Sequence, residues 1–190
     1  MTSVACASKD ATGSSRCSAP ILLRFHMTQI LTIRPVQIDD VPRILGFVRE
    51  LAEYEREPDA VVATEEMIRN SLFGEGLGRP ACEALIGEID GIARGFALYF
   101  MNYSTWLGRW GLYLEDLYVQ PDFRGYGLGK ALLVELARIA RTRRCGRMEW
   151  AVLDWNTPAI EFYKSIGARP QSEWTTYRLD AEGIERLASA

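Results

Sequence analysis

The sequence predicts an α/β domain whose central sheet mixes antiparallel and parallel strands. Two apolar runs, Cys82 to Ile89 and Ile92 to Met101, are separated only by Asp90-Gly91, a strong signal for an antiparallel hairpin. The run Leu112 to Val119, the amphipathic stretch Leu128 to Arg143 and the run Met148 to Leu153 read as strand, crossover helix and strand, which gives a parallel pair. With 48% apolar residues in a chain of 190, there is material for one substantial core, and no internal repeat points to a second.

The remaining elements follow in order. Residues 1–26 are rich in Ser and Ala, show no sustained apolar period and are expected to be a disordered or non-native leader, with Met27 the natural start. Residues 27–190 then form a single domain. Ile30 to Pro35 reads as a strand, and Asp39 or Asp40 caps a helix whose inward positions are Val41, Ile44, Leu45, Val48, Leu51 and Ala52. Thr64 caps a second helix that turns Met67, Ile68 and Leu72 inward and stops at Gly74; Gly76, Gly78 and Pro80 make the loop after it. Near the C-terminus, Asn156 to Ile166 is a short helix stopped by Gly167, and Trp174 to Leu179 has the pattern of a last strand.

Composition excludes several classes of function. No stretch approaches the ~18 apolar residues of a membrane span, so a soluble, cytoplasmic protein is expected. The four cysteines are far apart and form no Cys-x-x-Cys pair, which argues against a metal site. The single histidine, His26, lies in the leader, so an acid or base in the domain must be a carboxylate, Tyr, Lys or Cys. A net charge of −3 without a basic-aromatic stripe disfavours nucleic acid as a partner.

The chemistry concentrates in Gln120-Pro121-Asp122-Phe123-Arg124-Gly125-Tyr126-Gly127-Leu128-Gly129-Lys130, which joins a strand to the start of a helix. Glycines at alternate positions allow close backbone approach, and the free amides of a helix N-terminus form an anion site suited to phosphate. The spacing fits neither the nucleoside-triphosphate loop, because Gly125 and Gly129 enclose three residues and Ala131 follows Lys130, nor the dinucleotide fingerprint, because the third glycine comes one residue early. From Asp122 to Arg147 there are seven cations against two acids, whereas Asp39 to Glu66 has nine acids against three arginines. One region therefore favours an anion and the other a cation.

Together with Leu114-Glu115-Asp116-Leu117-Tyr118-Val119 and Asn156-x-x-Ala159-x-x-Phe162-Tyr163-x-x-x-Gly167, this loop resembles the acetyl-CoA core of the GNAT superfamily of N-acetyltransferases. Glu50-Leu51-Ala52-Glu53-Tyr54-Glu55, Tyr113-Leu114-Glu115-Asp116 and Trp155-Asn156-x-Pro158 are similar to its diamine branch, which acts on spermidine, spermine or thialysine; the likeness runs from Leu31 to Leu187. The resemblance implies a strongly bent mixed sheet of six or seven strands with four or five helices, acetyl-CoA where two parallel strands splay, and a homodimer. It implies that Arg124, Gly125, Tyr126, Gly127, Leu128, Gly129 and Lys130 hold the pyrophosphate. Leu117, Tyr118 and Val119 would offer backbone groups to the pantetheine and thioester, and Asn156, Thr157, Pro158 and Ala159 would touch the CoA arm.

By the same resemblance Tyr163 is the general acid for the leaving thiolate, a role for which its phenol, with a reference pKa of about 10, is suited. The acceptor ammonium must lose a proton first, and Glu115 is expected to take it; its neighbour Asp116 would point to the opposite face of a regular strand. Tyr54 and Glu55 match the acceptor-binding pair of the branch, and Trp106 would wall the acceptor cleft. The expected activity is direct transfer of acetyl from acetyl-CoA to a primary amine of a small cationic acceptor, without a metal. A protein or peptide N-acetyltransferase and a non-catalytic acyl-CoA-binding regulator are the alternatives. Two departures from the branch leave the acceptor open: the hairpin link is only Asp90-Gly91, and Ser165-Ile166 stand where eukaryotic polyamine enzymes tend to carry two arginines.

Overall fold

A computed structural model describes residues 29–75 and 78–190. The leader 1–26 and Gly76 lie outside the described residues. One sheet in the order β1-β2-β3-β4-β5 organises the domain: β1 (Leu31–Pro35), β2 (Glu83–Ile89), β3 (Ile92–Ser104), β4 (Arg109–Val119) and β5 (Arg147–Glu149). The first four strands are antiparallel neighbours, and β4 and β5 are parallel, so the sheet is mixed as expected.

Helices α1 (Val41–Tyr54) and α2 (Glu65–Phe73) cover one face, and α3 (Leu128–Thr142) and α4 (Thr157–Ser165) pack on the other; α5 (Ala181–Ala188) follows near the C-terminus. The core accordingly has two layers. Ile44, Phe47, Leu72, Ile86, Phe96 and Tyr118 fill the first, where the rings of Phe47 and Phe96 stack at 5.7 Å. Leu85, Ala97, Leu112, Leu114, Leu128, Leu132 and Leu136 fill the second. Helix α3 connects β4 to β5 and is the crossover that the parallel pair requires.

The helix ends match local chemistry. Thr64 Oγ1 accepts from the Met67 amide at 3.2 Å, Asn156 Oδ1 from the Ala159 amide at 3.4 Å, and Gly74 ends α2 in the left-handed region. Asp40 differs from expectation: its carboxylate takes Arg34 and the Gln37 amide, both at 2.7 Å, and so ties β1 to the turn before α1 without capping the helix. Met67, expected inward, is 56% exposed.

Two corrections concern the sheet. Among the described residues it has five strands, below the six or seven expected. The strand foreseen over Met148 to Leu153 shrinks to Arg147–Glu149, and residues 174–179 form no ladder, with Tyr177 93% exposed. Alternating Trp, Thr and Tyr suits a pleated, half-buried surface, but a segment without a partner strand gains nothing from it. The strand residues 148–149 mark the end of pairing, because beyond Tyr113 and Glu149 the chains of β4 and β5 separate.

Candidate active site

That separation makes the site. β4 continues six residues past its last pairing with β5, and residues 151–153 run opposite it without forming a ladder. The gap opens into a cleft of about 590 Å³. Leu117, Tyr118 and Val119 form one wall, Ala151, Val152 and Leu153 the other, and Phe123, Arg124, Gly125 and Gly127 the end; Leu128, Gly129 and Lys130 bring in the start of α3. Beyond Tyr113, β4 keeps its pairing with β3 but has no partner strand on the β5 side, where backbone groups border the cleft.

The loop has the conformation its glycines permit. Gly125 and Gly127 take φ of +83° and +88°, a region that side chains with a Cβ rarely adopt, and the latter is the residue before α3. An added Cβ at Gly125 would meet no protein atom within 4 Å, so its backbone borders open space. Arg124 is pinned over the ring of Tyr54 at 4.5 Å, and its Nε donates to the Val119 carbonyl at 3.0 Å. The amides at the start of α3, Arg124 and Lys130 together fit a pyrophosphate, and the long cleft beyond them fits an extended chain.

Opposite this loop, Asn156, Pro158, Ala159, Phe162 and Tyr163 come from α4, and Leu51, Tyr54 and Glu55 from the end of α1. Asn156 is buried; besides capping α4 it accepts a hydrogen bond from the Tyr54 hydroxyl at 3.0 Å, which joins the end of α1 to the start of α4. Tyr163 is held by Trp150 at 5.1 Å and Phe162 at 5.5 Å between ring centroids. Burial, then the Glu55 carboxylate, pushes its phenol above the ordinary pKa, so it stays protonated through neutral pH.

The acids cluster beside this end. Register breaks where Leu98 pairs with Asp116 and Tyr99 with Leu114, which leaves Glu115 as the extra residue of a β-bulge. Asp116 shares the face of its partner Leu98, which packs in the layer beneath α1 and α2. Burial, then the charges of Glu115 and Glu55, raises Asp116 to a pKa of about 6. Burial also raises Glu55. These carboxylates therefore share one electrostatic neighbourhood with Tyr163.

Most residues singled out from the sequence line the cleft: Leu117, Tyr118, Val119, Arg124, Gly125, Gly127, Leu128, Gly129, Lys130, Asn156, Pro158, Ala159, Tyr54, Glu55 and Tyr163. Four do not. Glu115 stands exposed at its bulge, Thr157 lies outside the lining and Tyr126 is 53% exposed. Trp106 sits in the turn between β3 and β4, 87% exposed and edge-on to Trp174, so it walls no part of this cleft. Sequence reasoning missed Leu51, Phe123, Ala151, Val152 and Leu153; their signal would have been an expected strand that stops pairing halfway. Among the described residues no group of three His, Cys, Asp or Glu side chains could hold a metal.

The parallel pair stops hydrogen-bonding beside the glycine loop and the Tyr163 phenol lines the opening, a layout compatible with acyl-CoA-dependent transfer. Residues 45–168 match the acetyltransferase (GNAT) family, and the chain belongs to that family. It is 39% identical over 167 residues to the thialysine N-epsilon-acetyltransferase of Sus scrofa, covering 82% of this chain and 96% of that one. The Caenorhabditis elegans thialysine N-epsilon-acetyltransferase is 35% identical over 163 residues, with 84% and 96% covered. Among solved structures, an integron cassette protein from the mobile metagenome of V. cholerae superposes with a TM-score of 0.68 at 28% identity, over 84% of this chain and 98% of that one. The protein is an acetyl-CoA-dependent N-acetyltransferase of this family. No helix among the described residues is long and apolar enough to cross a membrane.

Proposed function

We propose that the acceptor is a small cationic diamine, polyamine or thialysine-like amine. The observation that carries this reading is the Glu55 carboxylate lining the cleft together with Tyr163, its charge felt by both Tyr163 and the buried Asp116, while the cations Arg124 and Lys130 stand at the loop. The relatives named for thialysine acetylation support it.

When bound, acetyl-CoA supplies the acetyl group as an activated thioester. Arg124, Lys130 and the amides of residues 125–129 would hold its pyrophosphate, Leu117 to Val119 would meet the pantetheine along the edge of β4, and Pro158 and Ala159 would border the arm. Glu55 and Tyr54 receive the acceptor ammonium, whose pKa of about 10.4 lies some three units above neutrality. The pair Glu115 and Asp116 draws its proton through water: Glu115 is exposed to solvent at the bulge, and Asp116, at about 6, is ionised at pH 7 yet basic for a carboxylate. As the neutral amine bonds to the acetyl carbon and the C–S bond breaks, Tyr163 would give its phenolic proton to the departing sulfur and recover one from the nitrogen as the amide forms. No step uses a metal. We also propose, from the family likeness, a cytoplasmic homodimer.

The test is acetyl-CoA-dependent thiol release with thialysine, lysine, putrescine, spermidine and a basic peptide, against a control without acceptor. Turnover on the small cationic amines is the expected result. Turnover on the peptide alone would move the function to protein modification, and CoA binding without turnover on any acceptor would overturn the small-amine reading.

A further inference from the structure

Arg94 occupies an irregular place in β3. Gly87 pairs with Gly95 and Glu88 with Ala93, so Arg94 is the extra residue of a bulge, a device that re-aims a side chain. Its guanidinium lies over the ring of Phe123, 4.0 Å from the centroid, and its Nη1 donates to Gln120 Oε1 at 3.3 Å. The Gln120 amide N–H in turn donates to the Arg94 carbonyl at 2.9 Å. At the other end of the same side chain, Gln120 Nε2 donates to the Glu50 carboxylate at 3.1 and 3.3 Å. Glu50 is on α1, one turn before Tyr54.

The carboxamide thus presents its acceptor to a cation and its donors to an anion, which one amide group can do at once. It links α1, which carries Tyr54 and Glu55, to the first residue of the glycine loop. As a stabilising device it is poor, because Arg94 Nε is buried and finds no hydrogen-bond partner among the described residues. Its effect is placement: Phe123, which Arg94 covers, lines the cleft beside the glycine loop, and Leu51 and Tyr54 of α1 line the same cleft.

We infer that Arg94, Gln120 and Glu50 form a strut that sets the spacing between the glycine loop and the acceptor-side end of α1, which makes Gln120 a positioning residue for both substrates. The inference rests on the cleft being the acetyl-CoA site. Gln120→Met keeps the length of the side chain and removes both polar contacts. It is expected to raise the CoA Kd, measured by calorimetry, and the acceptor KM, each roughly tenfold, with kcat changed less than twofold. Glu50→Gln retains an acceptor for Gln120 Nε2 and should stay within about threefold of wild type on both constants, whereas Glu50→Leu should reproduce Gln120→Met. A folded Gln120→Met with unaltered CoA Kd and acceptor KM overturns the strut, as does a lowered melting temperature with both constants unchanged. Should Gln120→Met fail to fold, the pair Glu50→Gln and Glu50→Leu decides, and equal constants for the two overturn it. Wild-type protein that binds no CoA would remove the cofactor reading itself; wild-type binding with an unaltered variant removes only the strut.

Discussion

Asp116 is the group whose removal should make the protein more stable and less active at once. Its folded pKa is raised from 3.8 to about 6, chiefly by burial and then by Glu115 and Glu55. Between those two values the folded state holds the proton more tightly than the unfolded chain, so stability falls as pH rises through the window. At pH 8 the cost has its full size, about 3 kcal/mol at 1.36 kcal/mol per unit. By pH 5 it has shrunk to about half, and by pH 4 to about 0.5 kcal/mol, because the folded carboxyl is then protonated. Asp116→Asn cannot ionise and escapes the cost. At pH 8 its melting temperature should exceed the wild-type value by roughly 6–12 °C, at ~2–4 °C per kcal/mol for a domain of this size, and the gap should close as pH is lowered to 4. Paired thermal melts at pH 8, 6, 5 and 4 measure this. A variant less stable than wild type at pH 8, or a gap that does not narrow on acidification, would refute the reasoning. The same substitution should remove the acid limb near pH 6 from the wild-type profile of kcat/KM, which separates the catalytic reading from the electrostatic one.

Tyr163→Phe should lower kcat by roughly 10²-fold with the CoA Kd unchanged, because the ring packing on Trp150 survives and only the proton donor is lost; stopped turnover assays and calorimetry check both halves. Glu55→Gln should raise the acceptor KM roughly tenfold and leave CoA binding as it was, seen by varying each substrate in turn. Leu136→Ala, at a fully buried position under the sheet, should destabilise the fold by about 2–5 kcal/mol, read from urea unfolding, without altering either KM in the folded fraction.

The sequence made the hairpin at Asp90-Gly91, the crossover through α3 and the caps at Thr64 and Asn156 legible because each rests on local chemistry or a sustained period. The bulges at Arg94 and Glu115 were not legible: a period of two records alternation and carries no mark of an extra residue facing one partner. Glu115 and Asp116 are accordingly not the opposite-facing pair of a regular strand. The far wall at residues 151–153 escaped for a related reason, since its apolar residues face a cleft and read as a strand. Trp106 shows the opposite failure, in which a residue type suited to a cationic acceptor lies in a turn away from the opening.

Charge counting also changes meaning once partners are known. Of the seven cations from Arg124 to Arg147, Arg138 pairs with Glu135, Arg143 with Glu83, and Arg147 with Glu149, so their fields are answered locally. Arg141 and Arg144 lie exposed around the C-terminal end of α3, where they complement the helix dipole. Arg124 and Lys130 are the two that line the cleft, and both stand at the glycine loop. The acidic side thins in the same way: Asp40 is held by Arg34 and Glu50 by Gln120, whereas Glu55 remains at the opening. The opposition of signs read from the chain is therefore carried at the site by few groups. Their placement in one cleft, more than the regional totals, is what supports the proposed cationic acceptor.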